Sequence, residues 1–197
     1  TGPLAQQASD AMEKLWHRLQ ALQAVQRKRL SLAVHELREA RIARQFEKRA
    51  AQIAKASPRP RALLLLRDNL RNRSRIEKAY LRAIGLAREE IIIANAYFVP
   101  GRKLRRALLM AAKRGVQVRL LLQGRYEYFM QYHAARPVYG ALLAAGVEIH
   151  EYTPSFLHAK VAVIDAGTPF PWATVGSSNL DPLSLLLARE ANVVVED

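Results

Sequence analysis

The stretch "LHAKVAVID", residues 157 to 165, opens on a histidine and a lysine two positions apart and continues as an apolar run. In an extended strand alternate side chains share a face, so His158 and Lys160 project together, their Cα atoms roughly 7 Å apart. Leu157, Ala159, Val161 and Val163 form the opposite face. One face is then expected to pack while the other presents an imidazole and an ammonium to a ligand. A second β-type run, "WATV", leads into "GSSN" at 176 to 179, where a tight Gly-Ser turn would deliver Ser177 and Asn179 beside the lysine. Glu190 and Asn192 share parity in the last run, "EANVVVE", which makes Glu190 a candidate partner for the histidine. Neutral imidazole is a competent nucleophile or acid-base group, and a carboxylate on its second nitrogen fixes the tautomer and stabilises the cation. Asp165 has the opposite parity and sits where the strand should end, better placed to fix a turn than to touch substrate. His17, His35, His133 and His150 have no comparable setting and read as ordinary packing or surface residues.

The elements that must hold these side chains follow from the texture of the chain. After Arg61, short β-type runs ("ALLLLRDN", "EEIIIANAYF", "VQVRLLLQG", "VEIHEY", "LHAKVAVID", "ANVVVED") are separated in several places by helical stretches such as 74 to 87, 102 to 114 and 136 to 145. Strands that alternate with helices and are apolar on both faces predict an α/β domain whose sheet is largely covered. Before that, from Asp10 to about Ala56, apolar residues recur at helical spacing (Met12, Leu15, Leu19, Leu22, then Leu30, Val34, Leu37), which predicts one or two helices capped by Asp10. The two prolines of "ASPRP" end that pattern, so the expected division is a helical connector over 1–57 and a catalytic domain over 58–197.

Lys and Arg outnumber Asp and Glu by 31 to 17, a net charge of +14, so the partners expected are anionic: nucleic acid, phospholipid headgroups or phosphorylated metabolites. Arg27, Lys28, Arg29, Arg38, Arg41, Arg44, Lys48 and Arg49 load the helical segment, either as solvated faces or as a dock for headgroups or a phosphate backbone. The absence of cysteine excludes disulfides and thiolate metal sites. The longest apolar runs are far shorter than the roughly 20 residues of a membrane-spanning helix, so the expected membrane contact is peripheral.

"HAKVAVID" followed by "GSSN" resembles the H-x-K-x4-D and G-S-x-N motif of the phospholipase D superfamily, and "NAYFVPG" with "VGSSNLDPLSLLLAREANV" resembles the second half of bacterial cardiolipin synthases. The resemblance covers roughly residues 60 to 197. It implies a phospholipase D-like sheet flanked by helices, preceded by a helical segment. It implies that His158 works at phosphorus, that Lys160 and Asn179 bind phosphate oxygens with Ser177 nearby, and that Glu190 orients the imidazole. It also counts Asp165, the motif aspartate, among the catalytic set. A diester passing through a pentacoordinate state needs positive charge and hydrogen-bond donors at its oxygens, which Lys and Asn supply without a metal or other cofactor.

Two departures from the pattern stand out. Ten residues, "AGTPFPWATV", separate Asp165 from Gly176, more than the family usually has, and they read as a longer hairpin tip. More consequentially, a complete site in this superfamily uses two motifs facing one another, and only one H-x-K occurs here. The second half is expected either earlier in the same native chain, which the leading helices and the start without methionine favour, or in a second copy related by a two-fold axis.

By resemblance the activity is that of a phosphatidyltransferase: phosphatidyl transfer to a histidine, release of glycerol, and attack by the hydroxyl of a second lipid such as phosphatidylglycerol. In two-motif members the nucleophile is usually assigned to the first motif, so His158 would protonate the leaving alcohol and deprotonate the incoming one. The implied setting is the cytoplasmic side of a bacterial inner membrane, held peripherally, and the aromatic run "RYEYFMQYH" is either packing or an interfacial contact. Two other readings stay open: a nuclease of the same superfamily drawn to DNA by the positive charge, and a non-catalytic module that binds anionic lipid or nucleic acid.

Overall fold

The computed structural model describes residues 3–26, 62–69, 72–125 and 129–196 of the chain. It divides into two units, 1–64 and 65–197. In the first, helix α1 runs over Pro3–Gln26. It begins seven residues before Asp10, so Asp10 does not cap it; the carboxylate instead accepts a hydrogen bond from Gln6 Nε2 one turn earlier, at 2.8 Å. The proline at the start suits a first turn whose N–H groups have no helical partner. The basic run from Arg27 to Arg49 and the proline boundary lie outside the described residues.

The remaining elements are β1 (Ala62–Arg67), α2 (Arg75–Leu86), β2 (Glu90–Asn95), α3 (Arg102–Lys113), β3 (Gln117–Gln123), α4 (Phe129–Ala144), β4 (Glu148–Tyr152), β5 (Lys160–Ile164), β6 (Trp172–Gly176), α5 (Pro182–Leu186) and β7 (Glu190–Glu196). They form a mixed α/β fold around one seven-stranded sheet of order β1-β7-β6-β5-β2-β3-β4. The segment β2 to β4 pairs in parallel, and β2-β5, β5-β6 and β6-β7 are antiparallel. Parallel neighbours need crossovers, which α3 and α4 provide; antiparallel β5 and β6 need only a hairpin, and β6 and β7 are joined through α5.

Burial alternates along the strands. Ile91, Ile93 and Asn95 are buried and register with Ile164, Ala162 and Lys160, while Ile92 and Ala94 are half-buried. The same period runs through Val118, Leu120 and Leu122 and through Trp172 and Thr174. The buried face meets stripes at helical spacing: Ile76, Tyr80, Ala83 and Ile84 of α2, and Leu104, Leu108 and Ala111 of α3. Tyr80 and Trp172 meet edge to face with ring centroids 5.4 Å apart. Among the described residues the second face is only half-covered, with Val175 and Val195 exposed. Its valines and isoleucines make the strands read as apolar on both sides, although burial follows one. No described helix is long and apolar enough to cross a membrane.

Candidate active site

The functional side chains collect where β2 ends and β5 begins. Asn95 and Lys160 are the last cross-strand pair, and Ala96 N donates to Ala159 O at 2.8 Å, extending the pairing by one bond. The sequence predicts that the face carrying Lys160 is the open one. The structure reverses this: Lys160 shares the buried face with Ala162 and Ile164 and is itself only 7% exposed. Period two tells which side chains share a face, not which face packs. An apolar pocket would repel the ammonium, and here a backbone carbonyl accepts from it. It donates to His158 O at 3.2 Å and stands opposite the Asn95 amide.

His158 precedes the strand and is exposed. Its ring stands edge to face with Tyr97, centroids 6.4 Å apart. The segment leading into it is held by Gln123 at the end of β3, whose Oε1 accepts from Leu157 N at 3.0 Å. The imidazole thus belongs to an exposed residue whose backbone carbonyl accepts from a buried cation.

The second arm arrives from β6. A Cβ at Gly176 would run into the Ala191 carbonyl and the Asn192 amide, so glycine is required here by the close approach of β7. Ser177 Oγ donates to Glu190 Oε2 and accepts from Ala191 N at 3.1 Å, while Ser177 N donates to Ala191 O at 3.0 Å. Ser178 N donates to Asn192 Oδ1 at 3.4 Å, and Asn192 Nδ2 donates to Thr174 Oγ1 at 3.3 Å. These bonds tie the turn to β7. The far side is tied to the end of β2: Asn179 Oδ1 accepts from Tyr97 N at 3.3 Å, and Asn95 Oδ1 accepts from Leu180 N at 3.2 Å. With its oxygen so occupied, Asn179 has its amide N–H groups left to serve as donors. Asn95 Nδ2 is buried without a partner, and the Leu180 bond fixes the sense of that amide.

The fold thus brings together His158, Lys160, Ser177 and Asn179, with Glu190 bonded to Ser177. Glu190 makes no hydrogen bond to His158; its carboxylate is taken by the serine hydroxyl. Asp165 is not brought in. It lies at the other end of β5, about 17 Å along the strand from Lys160. Its carboxylate accepts from three backbone N–H groups, those of Arg88 (2.9 Å), Glu89 (2.9 Å) and Glu90 (3.1 Å), and its own φ is 54°. The catalytic set implied by the motif is corrected accordingly: Asp165 clasps the α2–β2 turn and touches no other candidate residue. The long tip between β5 and β6 is at that same distant end, beyond the Ile164–Trp172 pair.

Gln123 escapes a reading by motif, and Asn95, Tyr97 and Asn192 fall within the stretches that carry the resemblance without a role assigned to them. The signal for Asn95 was available in "IIIAN", a polar residue closing an apolar strand. Its pairing with Lys160 was not, because the two are 65 positions apart. Among the described residues no cluster of three or more His, Asp or Glu could hold a metal ion.

Residues 80–197 match the family described as "Cardiolipin synthase, PLD-like domain". The chain is 49% identical over 135 residues to cardiolipin synthase B of Escherichia coli (strain K12), covering 68% of this chain and 32% of that one. It is 37% identical over 122 residues to cardiolipin synthase 2 of Bacillus anthracis, covering 62% and 23%. It therefore spans about a third or less of the length of these curated relatives. Among solved structures, the phospholipase D family member Nuc from Salmonella typhimurium superposes with a TM-score of 0.57 at 20% identity, covering 69% of this chain and 82% of that one.

Proposed function

Because the chain belongs to the cardiolipin synthase, PLD-like domain family, we propose that the protein carrying it is a phosphatidyltransferase that joins two phospholipids through a phosphohistidine, with this chain supplying one half of the site. The observation that carries the reading is the buried Lys160 ammonium at a sheet end, donating to the backbone carbonyl of exposed His158, with the donor side of Asn179 delivered from the next turn. That arrangement offers charge and N–H donors to the non-bridging oxygens of a diester, where negative charge grows as phosphorus becomes pentacoordinate. One histidine displaces glycerol from phosphatidylglycerol, forming a P–N bond as the P–O bond breaks; the other gives the leaving oxygen its proton. The hydroxyl of a second phosphatidylglycerol then reverses the sequence, returning its proton to the acid-base histidine and forming the new P–O bond.

His158 fits the acid-base role, since the second half, in the same native chain or a second copy, would supply the nucleophile. The reading places the protein at an anionic membrane surface, on the cytoplasmic side of a bacterial inner membrane, as a peripheral protein. The helical segment over 1–57 would be a connector.

The net charge of +14 favours a second reading, a nuclease acting on DNA diesters with the same groups. Near-half identity to cardiolipin synthase B supports the lipid over DNA. The full-length native protein incubated with phosphatidylglycerol vesicles is expected to release glycerol and form cardiolipin, and His158→Ala to form none. Metal-independent cutting of a DNA oligonucleotide, lost in His158→Ala and without lipid transfer, would establish the nuclease instead.

A further inference from the structure

Arg67 closes β1 and is 2% exposed. Its guanidinium spreads over four oxygens: Nη1 donates to Asn69 Oδ1 at 2.7 Å and to Ala188 O, Nη2 donates to Leu186 O, and Nε donates to Arg73 O at 3.4 Å. All four acceptors are neutral. Burying a cation without a carboxylate is costly, and an apolar side chain would close the strand more cheaply, so stability alone does not account for this residue.

What Arg67 grips is informative. The carbonyls of Leu186 and Ala188 bracket the end of α5, where Leu187 N and Ala188 N both fold back onto Leu183 O at 2.9 and 2.7 Å. Two residues later β7 begins at Glu190, the partner of Ser177 Oγ. Asp181 secures the other end of the same segment, accepting from Ser184 N at 2.9 Å two residues after Asn179. The planar fork of arginine reaches two diverging carbonyls at once, which a lysine ammonium cannot do in the same geometry.

We infer that Arg67 is a positioning residue: through the Leu186 and Ala188 carbonyls it sets the place of Glu190, and with it the Ser177 hydroxyl at the site. This rests on the proposed transferase activity only in its kinetic arm, so the test has two arms. In the full-length protein, Arg67→Lys is expected to speed hydrogen exchange at the amides of Ser177 and Ala191 while Ile91, Ile93 and Leu120 stay protected. In vesicle transfer assays it is expected to lower kcat about tenfold or more with KM within about twofold, since small displacements at a reacting centre cost rate before affinity.

Arg67→Lys in a Glu190→Gln background is expected to lose no more than Glu190→Gln alone, because the two act through one arm. Unchanged exchange at Ser177 and Ala191, or additive kinetic losses, would overturn the inference. Should Arg67→Lys fail to fold, Asn69→Ala, which removes one acceptor from an exposed position, is read by the same exchange and kinetic measurements. Failure of the transferase reading would show as no transfer by the unaltered protein, leaving the exchange result to decide the role of Arg67.

Discussion

Asn95 and Lys160 stand opposite one another as the last cross-strand pair of β2 and β5, an amide beside an ammonium on the packed face of the sheet. The amide oxygen is committed to Leu180 N, so the pair also sets how far the Ser177–Leu180 turn stands from the lysine.

Asn95→Ala leaves the buried Leu180 N–H without an acceptor and should cost about 1–3 kcal/mol in urea unfolding. Asn95→Asp keeps the acceptor but sets a carboxylate against the ammonium. It is expected to raise KM for a phosphodiester substrate, because the incoming phosphate then competes with an internal anion. An unchanged KM in Asn95→Asp would show that Lys160 does not meet the substrate.

Lys160→Met should separate function from folding. Removing a buried ammonium while keeping the length of the stem should leave stability unchanged or raised. Loss of a charged group at the developing oxyanion should cut kcat by roughly a hundredfold or more. Thermal melts and initial rates on the same preparation check both.

Asp165→Ala should do the opposite. It strips the acceptor from the N–H groups of Arg88, Glu89 and Glu90 and leaves a Cβ-bearing residue at φ 54°, so a loss of about 2–5 kcal/mol is expected. Activity per folded molecule should persist, since the carboxylate lies at the far end of β5 from His158. Denaturant melts paired with rates normalised to the folded fraction distinguish the two effects.

Tyr80 gives a pH signature. Burial pushes its phenol well above the ordinary value, and its hydroxyl has no hydrogen-bond partner. The unfolded chain therefore ionises first as pH rises past about 10, and the folded state loses stability from there upward. Tyr80→Phe removes that penalty. Its stability should match or exceed that of the unaltered protein at pH 8, with the gap widening in its favour above pH 10, as read by unfolding at fixed urea.

All seven strands were legible in the sequence, because short β-branched and leucine-rich runs between turn residues have few other uses. The start of α4 was not: the expected stretch from 136 leaves out the residues from Phe129, whose aromatic composition resembles a loop as much as a helix, and Pro137 sits within the helix. The motif pattern makes His158 and Lys160 legible as one pair and Ser177 and Asn179 as another, since the members of each pair lie two positions apart. It gave the wrong face for Lys160 because that depends on where α2 and α3 pack. Arg67 was invisible for a related reason: two of its four acceptors are carbonyls 121 and 119 positions away, and a carbonyl carries no residue identity to read.

The β5–β6 tip has a practical consequence. Phe170 there is 80% exposed, and the tip hangs from the Ile164–Trp172 pair while the chemistry sits past Lys160 and Gly176 at the opposite rim. Its length is therefore expected to leave turnover unchanged. A fluorophore or purification peptide grafted between Gly167 and Pro171 would sit at the end of the hairpin away from Lys160 and Gly176.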